Sequence, residues 1–458
     1  MSDDKKIRFF VPEWVPVSNK GEEAIVLGYN DTLFPGRNAV PVVLDMAADK
    51  FYEKDGIEVY PGKYFFPKWE NREFGLAWSW YRLESSFLSA LRHLLDKLCP
   101  RWILRKTRQL KKFEKTMKRF RAGEPARGEY EKRVYEVLSC DYVVAGHDGA
   151  FNFRECQLLD AMREHGFSYG IYGSSLRPET TEPVRLGIFD NTLEHADYIY
   201  VRNTITVDWA RKHLPKSGGN VKLCPDPAFG MDPAPMEDFM AVVARHHLEK
   251  YLESPLIVMT VCEPAPIARL AFLKILSPEQ KKAAHRRLLG ALASHILDTT
   301  DARIVFLPHS LGPEKALDDR IVAEGVIANI PENKRRDRVY LLKDDLNGRI
   351  LKRFIAQADL LIGERIHSII GSVKVDTPFL CIGSNADYRI HGIVESMLQA
   401  ESCRYLLDDP KESELNALFD GMWRDLPRIT EERKKLNRTI IASLEEAAGV
   451  IRSKLRHT

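Results

Sequence analysis

Short apolar runs alternate with helical patterns through most of this chain, and this alternation constrains the fold more than any other feature. In the second half, runs suited to buried strands lie at 256–261, 303–307, 339–342, 360–362, 379–382 and 404–406. Helical patterns lie at 279–299, 314–329, 347–357, 366–374, 390–400 and 411–425. Strand–helix–strand units build parallel sheets with helices on both faces, so we predict a doubly wound sheet. Its ligands are expected beyond the carboxyl ends of the strands.

The first half repeats the pattern less regularly. A strand at 7–11 is followed by a glycine-containing loop and a helix that starts at Glu22, and further strands are predicted at 141–145, 169–172, 198–201 and 221–223. The segment 226–235 holds three prolines and one glycine, which favours a hinge. We therefore predict an α/β protein of two lobes with a ligand cleft. The predicted domains are 1–230, 231–428 and a C-terminal helix, 429–458, that packs back across the lobes.

One predicted strand-to-helix junction carries residues suited to chemistry. The run 358–362 ends at Gly363, and Glu364, Arg365, Ile366 and His367 lead into the next helix. A helix N-terminus attracts anions, Arg365 adds a fork-shaped cation, and His367 exchanges protons near neutral pH. An interpretation without function is equally open, in which Arg365 caps a surface turn and His367 is a hydrogen-bonded structural residue.

A basic insertion separates the early elements from the strand at 141. Residues 69–102 contain four tryptophans, and residues 101–121 contain ten Lys or Arg against one acid, Glu114. A basic amphipathic helix beside tryptophans is typical of a membrane-surface segment. The commoner alternative is a helical insertion, about 69–130, that packs on the N-terminal lobe with a solvated basic face. Nucleic-acid binding is not expected, because no recognised binding motif accompanies the charge.

The cysteines and the N-terminal sequence indicate in which cellular compartment the protein is expected. The seven cysteines are dispersed and form no Cys-x-x-Cys pair, which favours free thiols over disulfides or a zinc site. No signal-peptide pattern and no apolar stretch long enough to span a membrane is found. We predict a cytoplasmic protein without a metal, with peripheral contact at the inner membrane face through 101–121 as an open extension.

Several motifs follow the predicted strands in a fixed order. They are Asn19, Gly21, Glu23 and Ala24; Arg202 after the strand at 198; Asp226, Pro227 and Phe229; Pro308, His309 and Ser310; and Ile362, Gly363, Arg365 and His367. Together they resemble the polysaccharide pyruvyl transferase family, whose members have a GT-B-type fold of two Rossmann-like lobes. The resemblance covers roughly 7–35 and 135–425 and leaves the insertion unmatched.

The resemblance implies transfer of pyruvate from phosphoenolpyruvate to a sugar of a surface polysaccharide or its precursor, as a cyclic ketal, without a cofactor. Implied catalytic residues are His367 and Glu22. Implied donor-binding residues are Arg365, Arg202, Arg389, Ile366 and Gly363. Candidate acceptor-binding residues are Asn19, His147, Asp148 and His309. The acceptor is a glycan or a lipid-linked saccharide.

The sequence departs from the family pattern at three places. Glu22 stands where relatives commonly have Asp, and Arg389 stands where they often have Lys. Gly146, His147 and Asp148 stand where relatives often have Gly-Ser-Asp or Gly-Gly-Gly, so the resemblance implies no role for His147. Alternatives also stay open for single residues: Glu22 as helix N-terminal charge, His309 as a structural histidine, and Arg202 as a partner of Asp226. Two other functions compete, namely a GT-B glycosyltransferase that uses a nucleotide sugar and a non-catalytic glycan-binding or scaffold relative.

Overall fold

The computed structural model describes residues 6–65, 107–147, 153–176, 183–263, 277–312, 315–385, 387 and 389–455. The chain divides into two compact units, each with its own sheet. The first unit comprises 1–16, 29–227 and 445–458, and the second comprises 17–28 and 228–444. The predicted boundary at 230 lies close to the division at 227/228. Residues 17–28, which we had placed in the N-terminal lobe, cluster with the second unit instead.

The first unit contains an eight-stranded sheet. Its strands are β1 (Ile7–Trp14), β2 (Ala39–Asp45), β3 (Tyr52–Lys54), β4 (Ile57–Pro61), β5 (Tyr142–Ala145), β6 (Gly170–Ser174), β7 (Ile199–Val201) and β8 (Lys222–Leu223). The order is β3-β4-β2-β1-β5-β6-β7-β8, and every pairing is parallel except that of β3 with β4. We had not predicted β2, β3 and β4. The strand order reverses between β1 and β5, which makes their carboxyl ends a topological switch point.

Among the described residues, six α-helices lie between residues 20 and 213. They are α1 (Lys20–Leu33), α2 (Arg108–Arg121), α3 (Gly128–Leu138), α4 (Phe153–Glu164), α5 (Pro183–Glu194) and α6 (Thr204–His213). The first nine residues of α1 cluster with the second unit, and the remainder clusters with the first.

Helix α2 is the described part of the basic insertion. Its apolar face packs into the core of the first unit, where Phe113 and Met117 are fully buried and the Phe113 ring lies 5.2 Å from that of Phe65. Basic side chains on the other face are exposed, including Lys111 and Lys115. For 108–121 the structure therefore agrees with the packed-helix interpretation, since the apolar side is covered by protein. The tryptophan-rich stretch 69–102 lies outside the described residues.

The second unit contains a six-stranded, fully parallel sheet. Its strands are β9 (Leu256–Thr260), β10 (Arg303–Phe306), β11 (Val339–Leu341), β12 (Leu360–Gly363), β13 (Phe379–Gly383) and β14 (Arg404–Leu406). The order is β11-β10-β9-β12-β13-β14. Chain order reverses between β9 and β12, so the carboxyl ends of these two strands form the switch point of this sheet.

Nine α-helices follow in the described residues after 228. They are α7 (Met236–His246), α8 (Glu249–Leu252), α9 (Pro278–Thr299), α10 (Asp319–Ile327), α11 (Glu332–Arg335), α12 (Gly348–Ala356), α13 (Ile366–Lys374), α14 (Glu412–Arg424) and α15 (Leu426–Leu455). The helix predicted at 390–400 is instead a π-helix, Ile390–Met397. Among the described residues, no helix has the length and apolar character required to cross a bilayer.

The sequence pattern and the structure agree on fold class. Both units are α/β layers, and the second is a doubly wound parallel sheet with strand positions within two residues of those predicted. The two Rossmann-like parallel sheets confirm the predicted GT-B type of fold. Packing of the C-terminal helix across the lobes stays a prediction.

Candidate functional site

A pocket of about 500 Å³ lies in the second unit, where the loops after β9, β10, β12 and β13 meet the start of α1. Predicted site residues that line it are Asn19, Glu22, His309, Arg365, Ile366, His367 and Arg389. Gly363 ends β12 directly before this segment and is itself buried. The pocket therefore occupies the switch point of the sheet, where parallel α/β folds bind their ligands.

Arg365 is held in place by a buried carboxylate. Its Nε and Nη2 donate to the two carboxylate oxygens of Asp319, at 3.0 and 2.5 Å. The same carboxylate accepts the backbone N–H groups of His309 and Ser310, at 3.0 and 2.9 Å. Burial lowers the pKa of the Arg365 guanidinium, but Asp319 more than offsets this, so the group is firmly charged. Asp319 lies just beyond the Pro308–Ser310 motif in the sequence, but its pairing with Arg365 was not predicted, because the contact joins two loops far apart in the chain.

His309 is a neutral imidazole at the pocket wall. Burial lowers its pKa to about 3, and the neighbouring positive charges of Arg365 and His367 add to this effect. Its Nδ1 lies 3.4 Å from the carbonyl oxygen of Leu307. At neutral pH His309 is thus uncharged and suited to hydrogen bonding rather than to acid catalysis.

The first turn of α1 is held in the second unit by the buried Lys20–Glu23 ion pair and by the half-exposed Asp345. Lys20 is 1% exposed, and its Nζ lies 2.9 Å from Glu23 and 2.7 Å from Asp345. The other oxygen of Glu23 accepts the N–H of Gly348 at the start of α12, at 2.8 Å. Backbone bonds add to this, since the N–H of Lys20 donates to the carbonyl of His309 at 2.6 Å. Glu23 is therefore structural, whereas Glu22 lines the pocket.

The imidazole of His367 lies directly against Gly21. A Cβ atom placed on Gly21 would come within 2.3 Å of Nδ1 and 2.8 Å of Cγ of His367. Asn19 fixes the same turn, because its side-chain oxygen accepts the N–H of Gly21 at 3.1 Å. The residues of the first motif and His367 are thus neighbours in space.

Glu364 links two neighbouring segments of the pocket wall. One carboxylate oxygen lies 2.6 Å from His285 Nε2 on α9, and the other accepts the backbone N–H of Cys262 at 2.9 Å. Both side chains of the His285–Glu364 pair are almost fully buried. This pair connects the loop after β9 to the junction after β12, and no local sequence pattern linked these two segments.

Arg389 is paired with a residue two positions before it. Its Nε lies 3.0 Å and its Nη2 lies 2.8 Å from the two oxygens of Asp387. A lysine could not make this two-pronged contact, so the departure from the family pattern has a local structural use.

Arg202 has a different environment from the pocket arginines. It is fully buried in the first unit, where Nη1 lies 2.6 Å from Asp226 and Nε donates to Ser175 at 2.9 Å. This geometry agrees with the alternative in which Arg202 pairs with Asp226. Donor binding by Arg202 stays a prediction and would require rearrangement of this buried pair.

His147 lies at the switch point of the first sheet. It is 2% exposed and follows Gly146, whose N–H donates to Glu13 at 2.6 Å. Burial raises the pKa of Glu13 to about 7, despite hydrogen bonds and the His147 charge that lower it. Glu13 was not predicted from the sequence, because one acid inside an apolar strand forms no distinctive pattern. Asp148 lies outside the described residues.

Within the described ranges, no group of three or more His, Cys, Asp or Glu side chains is arranged to hold a metal ion.

Similarity to solved structures supports the fold. An E. coli structure described as trehalose-6-phosphate bound with UDP-2-fluoro glucose has 10% identity and a TM-score of 0.50 over 99% of both chains. An α,α-trehalose 6-phosphate synthase from Burkholderia multivorans has 14% identity and a TM-score of 0.49, over 99% of this chain and 95% of that one. HepE from Anabaena in complex with UDP has 12% identity and a TM-score of 0.48, over 98% and 100%. At these low identities, the similarity to the first structure shows only that the fold is shared. Nothing further is inferred from the other two structures.

The family model gives the more specific result. The model for polysaccharide pyruvyl transferase matches residues 19–385, which is well over half of the chain and spans both the Asn19–Glu23 motif and the Gly363–His367 junction. The chain therefore belongs to the polysaccharide pyruvyl transferase family.

Proposed function

We propose that this protein transfers the pyruvyl group of phosphoenolpyruvate to two hydroxyl groups of one sugar, giving a cyclic ketal and free phosphate. The observation that carries the proposal is the pocket at the β9/β12 switch point, which brings together an imidazole, two guanidinium groups and a helix N-terminus. Family membership supports a transferase that acts on a polysaccharide or sugar acceptor.

The anion-binding groups suit this donor. Phosphoenolpyruvate carries about three negative charges near neutral pH, from one phosphate and one carboxylate. Asp319 occupies Nε and Nη2 of Arg365, and among the described residues Nη1 has no protein partner, so it is available to an anion. Helix α13 has no side-chain cap at its N-terminus, which leaves first-turn amide groups for the same ligand. Arg389 adds a second cation.

The reaction then requires one proton donor and one proton acceptor. His367 delivers a proton to the methylene carbon, and the resulting oxocarbenium centre is attacked by the first sugar hydroxyl, which loses its proton. Phosphate then leaves as the bond between the former enol carbon and its oxygen breaks, the second hydroxyl closes the ring, and its proton is taken up by the departing phosphate, which is released as hydrogen phosphate. General acid–base catalysis of this kind typically contributes about 10²- to 10⁴-fold in rate.

Other pocket residues have roles in acceptor binding. Glu22 is the proposed base for an acceptor hydroxyl, and Asn19 lies beside it with Nδ2 3.5 Å from its carboxylate. The neutral ring of His309 is suited to hydrogen bonding with a sugar hydroxyl. The acceptor is a glycan or a lipid-linked saccharide of polysaccharide synthesis.

The proposal is tested by phosphate release from phosphoenolpyruvate in the presence of a panel of glycosides, with mass spectrometry of the products. The wild type is expected to release phosphate and to yield a pyruvylated glycoside, whereas His367→Ala is expected to do neither while it keeps its thermal stability. His295→Ala, which removes a histidine paired with Asp420 on α14, is the matched control and should remain active. Sugar transfer from a UDP- or GDP-sugar without any use of phosphoenolpyruvate would favour a glycosyltransferase instead.

A further inference from the structure

We infer that Gly21 is a positioning residue that sets the location of the His367 imidazole; the functional part of this inference rests on the proposed role of His367. The first observation is steric. A Cβ on Gly21 would lie 2.3 Å from Nδ1, 2.8 Å from Cγ and 3.1 Å from Cβ of His367. Since the crowded atoms include the base of the side chain, rotation of the ring alone does not relieve the contact.

The second observation concerns the backbone. Gly21 is the second residue of α1, and it is not among the residues with positive φ. Any L-residue can therefore adopt its conformation, and alanine is a better helix former than glycine. Backbone geometry gives no reason for glycine here, so the reason is the space that His367 occupies.

The third observation is that Gly21 cannot move away easily. Its turn is fixed by the buried Lys20–Glu23 ion pair, by the contact of Lys20 with the half-exposed Asp345 and by the bond from its N–H to Asn19. Breaking a buried ion pair is strongly unfavourable. A side chain at position 21 will therefore displace His367 rather than α1.

The predicted consequence is a loss of turnover with donor binding retained. Arg365 and the N-terminus of α13 are untouched by the substitution, whereas the proton donor is shifted. Displacement of a catalytic group by about 1 Å can cost on the order of 10²-fold in rate. For Gly21→Ala we expect kcat to fall at least tenfold and the KM for phosphoenolpyruvate to change less than threefold.

Gly371→Ala is the matched control. Gly371 lies on α13 with His367, but a Cβ there meets nothing closer than 3.6 Å, the Cε of Lys352. This variant should keep the wild-type kcat. An unchanged kcat in Gly21→Ala would overturn the inference, and so would a rise in KM alone, which would mean that Gly21 only gives room to the ligand.

A stability cycle tests the contact without reference to the reaction. Gly21→Ala should lower Tm in the wild type, but in a His367→Ala background it should leave Tm unchanged or raise it, because the clash is gone. Equal Tm changes in both backgrounds would refute the contact. If the coupling is found but phosphoenolpyruvate is not a substrate, the proposed function fails while the steric relation between Gly21 and His367 stands.

Discussion

At the scale of single residues, the site depends on buried acids that hold other groups in place. The carboxylate of Asp319 accepts hydrogen bonds from the Arg365 guanidinium and from two backbone amides of the loop after β10. Asp319 is not among the residues that line the pocket, yet it determines where the Arg365 guanidinium points. Its neighbour Asp318 caps α10 and pairs with Arg320 instead.

This contrast gives a matched pair of variants. Asp319→Asn should lower kcat/KM for phosphoenolpyruvate about 10- to 100-fold and destabilise the fold by roughly 3 kcal/mol, because a buried pair loses one charge. Asp318→Asn should leave kcat/KM unchanged, since Asn is also a good N-cap residue. Steady-state kinetics and urea unfolding measure both effects. Equal kinetics in the two variants would contradict the proposed positioning of Arg365.

Glu13 gives a pH-dependent prediction. Its pKa is raised to about 7 in the folded state, mainly by burial, from an ordinary value near 4.5. The folded state therefore binds more protons than the unfolded state between these values, and stability falls as pH rises through this window. The loss is on the order of 3 kcal/mol when complete.

Glu13→Gln should remove this loss, because an amide remains neutral and its oxygen can still accept the N–H of Gly146. Relative to the wild type, the variant should gain stability at pH 8 and gain little at pH 5. Chemical denaturation at the two pH values measures this difference. The same gain at both values would show that Glu13 does not titrate in this range.

At the scale of elements, the junctions between strands and helices position the side chains that line the pocket. Helix α13 begins directly after β12, so Arg365 and His367 are carried together to the sheet edge by local geometry. The start of helix α1 supplies Gly21 and Glu22, Asn19 directly precedes it, and all three cluster with the second unit. The basic helix α2, in contrast, packs its apolar face against the core and exposes its basic face to solvent.

The exposed basic face of helix α2 can therefore be tested for electrostatic binding to an anionic bilayer. If the acceptor is lipid-linked, exposed lysines at 111, 115 and 118 favour an anionic bilayer surface, each contributing about 1 kcal/mol. Conversion of all three to Gln should reduce sedimentation with anionic vesicles at low salt. A control that changes Lys250, Lys343 and Lys411 to Gln, all on the second unit, should sediment like the wild type. No sedimentation of the wild type would reject membrane contact.

At the scale of the whole molecule, all the residues that line the described pocket belong to the second unit. Phosphoenolpyruvate should therefore slow hydrogen exchange in segments 17–28, 307–312 and 363–374 of the full-length protein. Arg365→Ala should abolish this protection, because it removes the main cation. Protection that persists in Arg365→Ala would place the donor elsewhere.

The sequence by itself determined the alternation of strands and helices, since hydrophobic periodicity and glycine-rich junctions are local properties. It also placed Arg365 and His367 together at one edge of the sheet, because both belong to the same strand-to-helix junction. Strands β2 and β4 were not predicted, although most of their residues are apolar. No clear helical pattern separates the two strands in the chain.

Only the tertiary structure decided which distant residues meet. It placed Gly21 under His367, Asp319 against Arg365, and Glu13 against Gly146. It also buried Arg202 against Asp226, away from solvent. These contacts join segments far apart in the chain, and they depend on how whole elements pack rather than on the pattern within any one of them.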